Sequence, residues 1–220
     1  MKKTLMKALV VASVLSPAVA FAQTGKTKPT TATYITKEQV GLVSSSEQSK
    51  AVSDENTKVV DLGYENFTVG VIHRASTRNA ASTAPQAPAG GNGGAAAAPG
   101  ESCGRQMATL PPGGTPGAII HDFQTEGYYI VSGGGTMFTD GYVVNGRHSN
   151  QDAAGGPNGP SCGGMAYDVK KVVVKTGDIV IVPPGVVHGW ADIPDHVDYL
   201  SFRPSQNVLA AGWVNPTIQK

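Results

Sequence analysis

The chain has 220 residues with 17 basic and 16 acidic side chains, for a formal charge of +1. No basic cluster marks a nucleic-acid surface, and no apolar run approaches the roughly 20 residues of a membrane-spanning helix. Nucleic acid and a stable membrane span are therefore excluded as expectations.

The first 22 residues read as a secretory signal. Lys2, Lys3 and Lys7 form the basic start, an apolar stretch follows from Ala8, and Ala20-Phe21-Ala22 is a small-residue cleavage site. Cleavage after Ala22 predicts a periplasmic or secreted protein beginning at Gln23. Removing three lysines and no acids leaves 14 basic and 16 acidic residues, a formal charge of −2. The remainder suits one domain with insertions. Cys103 and Cys162 both survive processing, and an even pair in an oxidising compartment reads as a disulfide. It would close a loop of 58 intervening residues, worth about 4 kcal/mol in the chain-entropy model.

Residues 23–66 read as an N-terminal extension. Thr36 followed by Gln39 predicts a capped helix start, ending near Ser44 to Ser46. Lys58 to Leu62 reads as a short strand. The barrel proper is expected over 67–220, opening with a strand from Phe67 to Arg74 in which Phe67, Val69 and Val71 alternate with Thr68, Gly70 and Ile72. Ala, Gly and Pro dominate residues 79–112, a composition that cannot offset its own ordering entropy, so this stretch is a loop insertion. Gly117 to His121 and Gly127 to Val131 read as paired strands. Asp140-Gly141 between Thr139 and Tyr142 is a hairpin signal. Residues 145–166 form a second Gly-rich insertion, so each insertion carries one cysteine. Val169 to Lys175, Ile179 to Val182, Val186 to Trp190 and Val197 to Phe202 complete an all-β pattern of short strands.

The densest chemical signal lies in Gly177-Asp-Ile-Val-Ile-Val-Pro183-Pro184-Gly185-Val-Val-His188. Two prolines fix φ and a glycine relaxes it, so a stiff turn presents His188 at the start of the next strand. Gly177, Pro183, Gly185 and His188 resemble the second motif of the cupin superfamily. The Asn that often stands four residues further on is Asp192 here. Gly113, His121, Glu126 and Gly133 resemble the first motif, with Ile119 where its first histidine would stand. The stretch from Thr125 to Gly133 is similar to exported single-domain bacterial cupins.

The resemblance implies a single cupin barrel, a jelly-roll-like double-stranded β-helix, with an N-terminal helical segment and two Gly-rich loop insertions. It also implies a metal centre of His121, Glu126 and His188. His121 and Glu126 are five apart, so they share a pocket only if the chain turns between them. Two imidazoles and one carboxylate suit one divalent transition metal, Zn, Mn, Fe, Ni or Cu, with positions left open. His73 is the candidate replacement for the missing ligand, while His148 and His196 read as loop and turn residues. Tyr128 lies on the face of Glu126 and is the candidate catalytic acid or base. Trp190 would line the same pocket, and Arg203 reads as a surface charge, with the holding of a carboxylate as its alternative.

Two functions follow. One is a metal-dependent enzyme acting on a small polar molecule, with oxygenase, isomerase and lyase-like chemistry all open. The other is a non-catalytic periplasmic cupin that binds a metal or small molecule. The balance leans to the enzyme; a small-molecule ligand is the expected partner and a homodimer is left open.

Overall fold

A computed structural model describes residues 29–47, 51–78, 100–149, 158–205 and 208–219. The signal segment, most of the first insertion and residues 150–157 of the second lie outside them.

The helix α1 (Lys37–Glu47) starts as its sequence requires. Gln39 N–H donates to the Thr36 hydroxyl and Thr36 N–H to the Gln39 side chain, each at 3.3 Å, satisfying two donors that a helix start leaves open. It packs on β1 (Val52–Asp61) and β2 (Asn66–Ala75), with Val43 buried. β1 is longer than the expected Lys58 to Leu62 strand and pairs with β2, so part of the expected extension belongs to the sheet.

The remaining strands are β3 (Ser102–Cys103), β4 (Thr115–His121), β5 (Glu126–Thr139), β6 (Tyr142–Ser149), β7 (Ser161–Tyr167), β8 (Lys170–Lys175), β9 (Ile179–Val182), β10 (His188–Asp192) and β11 (His196–Ser205). The ends of the second insertion are therefore paired strands, β6 and β7. All the strand pairs are antiparallel. One sheet runs β1-β2-β11-β5-β9 and the other β8-β5-β10-β4-β7-β6-β3.

β5 is common to both sheets. Its first half pairs with β11 and β9, its second half with β8 and β10. The strand changes sheet at Gly133 and Gly134, where φ is +67° and +156°. A Cβ on Gly133 would lie 2.0 Å from the His196 carbonyl oxygen, so only glycine fits this bend. The result is a barrel of two antiparallel sheets joined through β5, an all-β architecture of the kind the sequence pattern predicts.

Two strand pairings differ from expectation. β4 does not pair with β5; it lies between β10 and β7. The turn after His121 carries the chain from one sheet to the other, which local alternation cannot reveal. Asp140 and Gly141 do adopt the positive φ of a tight turn. Yet β5, before the turn, pairs with β8 and β10 while β6, after it, pairs with β7 and β3, so the turn makes no hairpin.

Ile72, Tyr128, Ile130, Met137, Val174, Val182, Trp190, Ile193, Val197 and Tyr199 form the main core. Cys103, Ala118, Phe138, Val143, Cys162, Ala166 and Val187 form a second cluster. Ala118 and Val187 alternate with Ile119 and His188, which places this cluster on the opposite face of its sheet. It contains the Cys103–Cys162 disulfide, Cα to Cα 6.0 Å, which ties β3 to β7.

Candidate metal centre

Three strand termini bring the predicted ligands together. His121 ends β4, Glu126 opens β5 and His188 opens β10, directly after the Pro183-Pro184-Gly185 turn. All three are buried. His121 Nε2 and His188 Nε2 stand 3.2 and 3.3 Å from Glu126 Oε2. One donor atom from each residue lies within 4.8 Å of the others, and this is the only such His/Cys/Asp/Glu group among the described residues.

The outer ring nitrogens decide what the inner ones offer. His188 Nδ1 is 3.0 Å from the Val186 carbonyl, which only accepts, so that nitrogen donates and Nε2 presents a lone pair. His121 Nδ1 lies 2.9 Å from the Ser161 hydroxyl. That hydroxyl gives its one proton to the Asn158 or Gly159 carbonyl, at 3.3 and 3.1 Å, and so accepts from His121. Two imidazole lone pairs and a carboxylate oxygen thus converge on buried residues. Among the described residues His188 Nε2 makes no well-directed hydrogen bond, although Glu126 Oε2 lies 3.3 Å away. Acceptors facing acceptors repel one another unless a cation or proton sits among them. Burial, then His188 and Arg203, push the His121 imidazole pKa down despite the neighbouring Glu126, which disfavours the proton. A divalent cation fits this donor set, and hydrogen bonds to the outer nitrogens are what orient ligating imidazoles.

Glu126 is held from behind. Arg203 Nε donates to Oε1 at 2.8 Å and the Ser201 hydroxyl donates at 3.2 Å. Arg203 is 1% exposed and also holds both Asp54 oxygens, at 2.8 and 2.9 Å, and Asn56 Oδ1 at 3.0 Å. Burial alone would raise the Glu126 pKa; Arg203, then His121, outweigh it and hold the carboxyl well below its usual range. Oε1 is thereby occupied and Oε2 faces the histidines. The Tyr128 hydroxyl also donates to Oε2. Burial first, then Glu126, push that phenol's pKa well above its ordinary value, so it stays protonated.

Ile119 is buried on the same face of β4 as His121 and pairs in register with His188, beside the donors. His73 does not join them. Ile72 faces the core, so its neighbour His73 faces outward, where Nδ1 meets Asp198 at 2.6 Å. His148 lies 3.6 Å from Asp122, and His196 bonds Asp195 at 2.7 Å. Trp190 packs in the core, 5.9 Å from the Tyr199 ring. The surface reading of Arg203 is corrected. Its charge suggested solvent, but it shares strand parity with buried Val197, Tyr199 and Ser201. That parity was the available signal. Asp54, Asn56, Ser161 and Ser201 carried none.

No family model matches the chain, and no curated protein matches it. Solved structures that overlap it include a recombinant oxalate oxidase in complex with glycolate, at 15% identity, covering 72% of this chain and 53% of that one, TM-score 0.33. The Clostridium difficile EutQ protein overlaps at 9% identity over 80% of this chain and 77% of its own, TM-score 0.31. An uncharacterized conserved protein with a double-stranded β-helix domain from Klebsiella pneumoniae subsp. pneumoniae overlaps at 15% identity over 72% and 85%, TM-score 0.28. The chain spans about half the length of the oxalate oxidase. At these scores, neither activity nor residue roles carry over.

Proposed function

We propose that this cupin-type barrel is an exported metal-binding protein acting on a small polar molecule, with His121, Glu126 and His188 as ligands of one divalent transition metal. The observation that carries it is the buried convergence of three lone pairs, His188 Nε2 among them without a well-directed hydrogen bond. Three protein ligands leave positions for water or substrate, and a metal so held supplies Lewis acidity. Arg203 and Ser201 fix the carboxylate, Ser161 and the Val186 carbonyl fix the imidazoles, and Tyr128 keeps a proton beside Oε2. The basic N-terminus with its small-residue cleavage site and the disulfide support export.

A second reading, binding without turnover, draws on Ile119 in place of a ligand and on Arg203 already neutralising Glu126. Metal analysis of untagged protein tests the first. Wild type should carry about one equivalent, and His188→Ala should carry none while melting as a folded protein. Full metal retention in His188→Ala would remove the proposed centre.

A further inference from the structure

Inward-facing residues of β2, β11 and the β5 segment stack in register as tiers. Ile72, Tyr199 and Ile130 form an apolar tier, and Gly70, Ser201 and Tyr128 the next. Thr68 and Arg203 pair in the third, where Arg203 reaches Glu126. Asn66, Ser205 and Gln124 form the fourth: Asn66 pairs with Ser205, and Gln124 bridges to Ser205. This last tier is neutral, polar and buried, Gln124 completely so at 0% exposure.

Buried polar atoms nearly always have partners, and each orphan costs the desolvation of that group. Among the described residues the orphans are Asn66 Oδ1, Thr68 Oγ1, both Gln124 amide atoms, Asn158 Oδ1, Ser205 Oγ and His188 Nε2. Four of these residues belong to the last two tiers. Asn158 sits on the turn whose carbonyl takes the Ser161 proton beside His121, and His188 Nε2 faces Glu126. The orphans therefore gather at the site end of the barrel and not in the apolar core. Asn66 is held in place by its amide N–H to the Leu209 carbonyl at 2.6 Å, which leaves its oxygen as the unmatched atom.

The chemistry of the orphans selects a ligand. Three amide oxygens only accept, one amide nitrogen only donates, and two hydroxyls do either. A matching molecule must donate several hydrogens and accept at least one. A carboxylate donates none at neutral pH, and a phosphate monoester, whose second ionisation lies at about pH 6, has at most one hydrogen to give and mostly none. The charge of either would also meet no unengaged cation, because Arg203 is committed to Glu126, Asp54 and Asn56. Hydroxyl groups meet every requirement.

We infer that Asn66, Thr68, Gln124, Asn158 and Ser205 form a recognition subsite for a small, uncharged, polyhydroxylated molecule, a sugar or polyol, adjoining the His121–Glu126–His188 centre. This rests on the metal reading only for what lies at the subsite's far edge. The subsite is built from neutral side chains and binds with or without metal.

The experiment is calorimetric titration and thermal melting of the mature protein, chelated and metal-loaded. The probes are xylose, glucose and myo-inositol against oxalate, malate and citrate. A neutral probe should bind in both forms and, at saturation, raise Tm by about 5 °C. Gln124→Leu should weaken that binding at least tenfold while metal content stays at the wild-type value. Because burying leucine there removes two orphans, its Tm should equal or exceed wild type. Should Gln124→Leu fail to fold, Ser205→Ala, a change of one atom, should show the same weakening. Binding of carboxylates alone, or of no probe with Gln124→Leu destabilised, would mean the tier holds only ordered water and would overturn the subsite. Wild type that binds the neutral probe yet takes up no metal on loading would sink the metal reading and leave this one standing.

Discussion

Arg203→Met isolates the consequence of a buried charge. The substitution keeps much of the side-chain volume and removes every donor from Glu126 Oε1 except Ser201, along with both contacts to Asp54. The Glu126 and Asp54 side chains are 3% and 15% exposed, so neither gains much water in exchange. Removing one partner of a buried pair costs about 3–5 kcal/mol. The lower figure applies because Tyr128 and Ser201 still donate to Glu126 and Asp54 retains some solvent. At about 2–4 °C per kcal/mol for a domain of this size, Tm should fall by about 6–12 °C. The pH dependence has a definite sign. In wild type the depressed Glu126 pKa contributes stability above the unfolded value, and that contribution disappears as pH falls through the folded one. Without Arg203 the largest influence lowering that pKa is gone, and burial, which raises it, is less opposed. The deficit is then largest near neutrality and shrinks on acidification. Thermal melts of chelated protein from pH 7 to 4.5 measure both effects. A wild-type Tm at pH 7, or a deficit of equal size at pH 5 and pH 7, would refute the buried-pair account.

Ile119→His places an imidazole on the face of β4 that already carries His121, and should raise metal affinity by at least tenfold in competition with a chromophoric chelator. Reducing the Cys103–Cys162 disulfide should cost about 4 kcal/mol in the chain-entropy model, visible as a lowered melt in reductant with the far-ultraviolet spectrum retained. N-terminal sequencing of protein recovered from a bacterial periplasm should read from Gln23; an intact Met1 would reject export.

Features set by short-range chemistry were legible from residue order. The Thr36/Gln39 capping box, the stiff turn before His188 and the spacing of the two motifs each depend on a handful of adjacent residues, and each stands where expected. Features set by the crossing of sheets were not. β4 and β5 look like partners because they are consecutive, yet the chain changes sheet between them. Arg203 illustrates a second limit: charge argues for the surface and strand parity for the core, and Asp54, far off on β1, supplies the countercharge that lets parity prevail. His73 stands apart from the donor set for the complementary reason, since its neighbour Ile72 takes the inward position.

β5 is one unbroken strand of 14 residues belonging to both sheets, and the donor set straddles the same divide. Glu126 pairs with β9 in one sheet, while His121 and His188 lie on β4 and β10 in the other. An ion gripped by all three would act as a rivet, with β5 as the hinge plate, and would resist any sliding of one sheet across the other. Its loss would be felt far from the ligands. Amide hydrogen exchange should quicken along β2 and β11 as well as along β4 and β10 when a loaded protein is chelated, because the two halves of the barrel would then breathe separately.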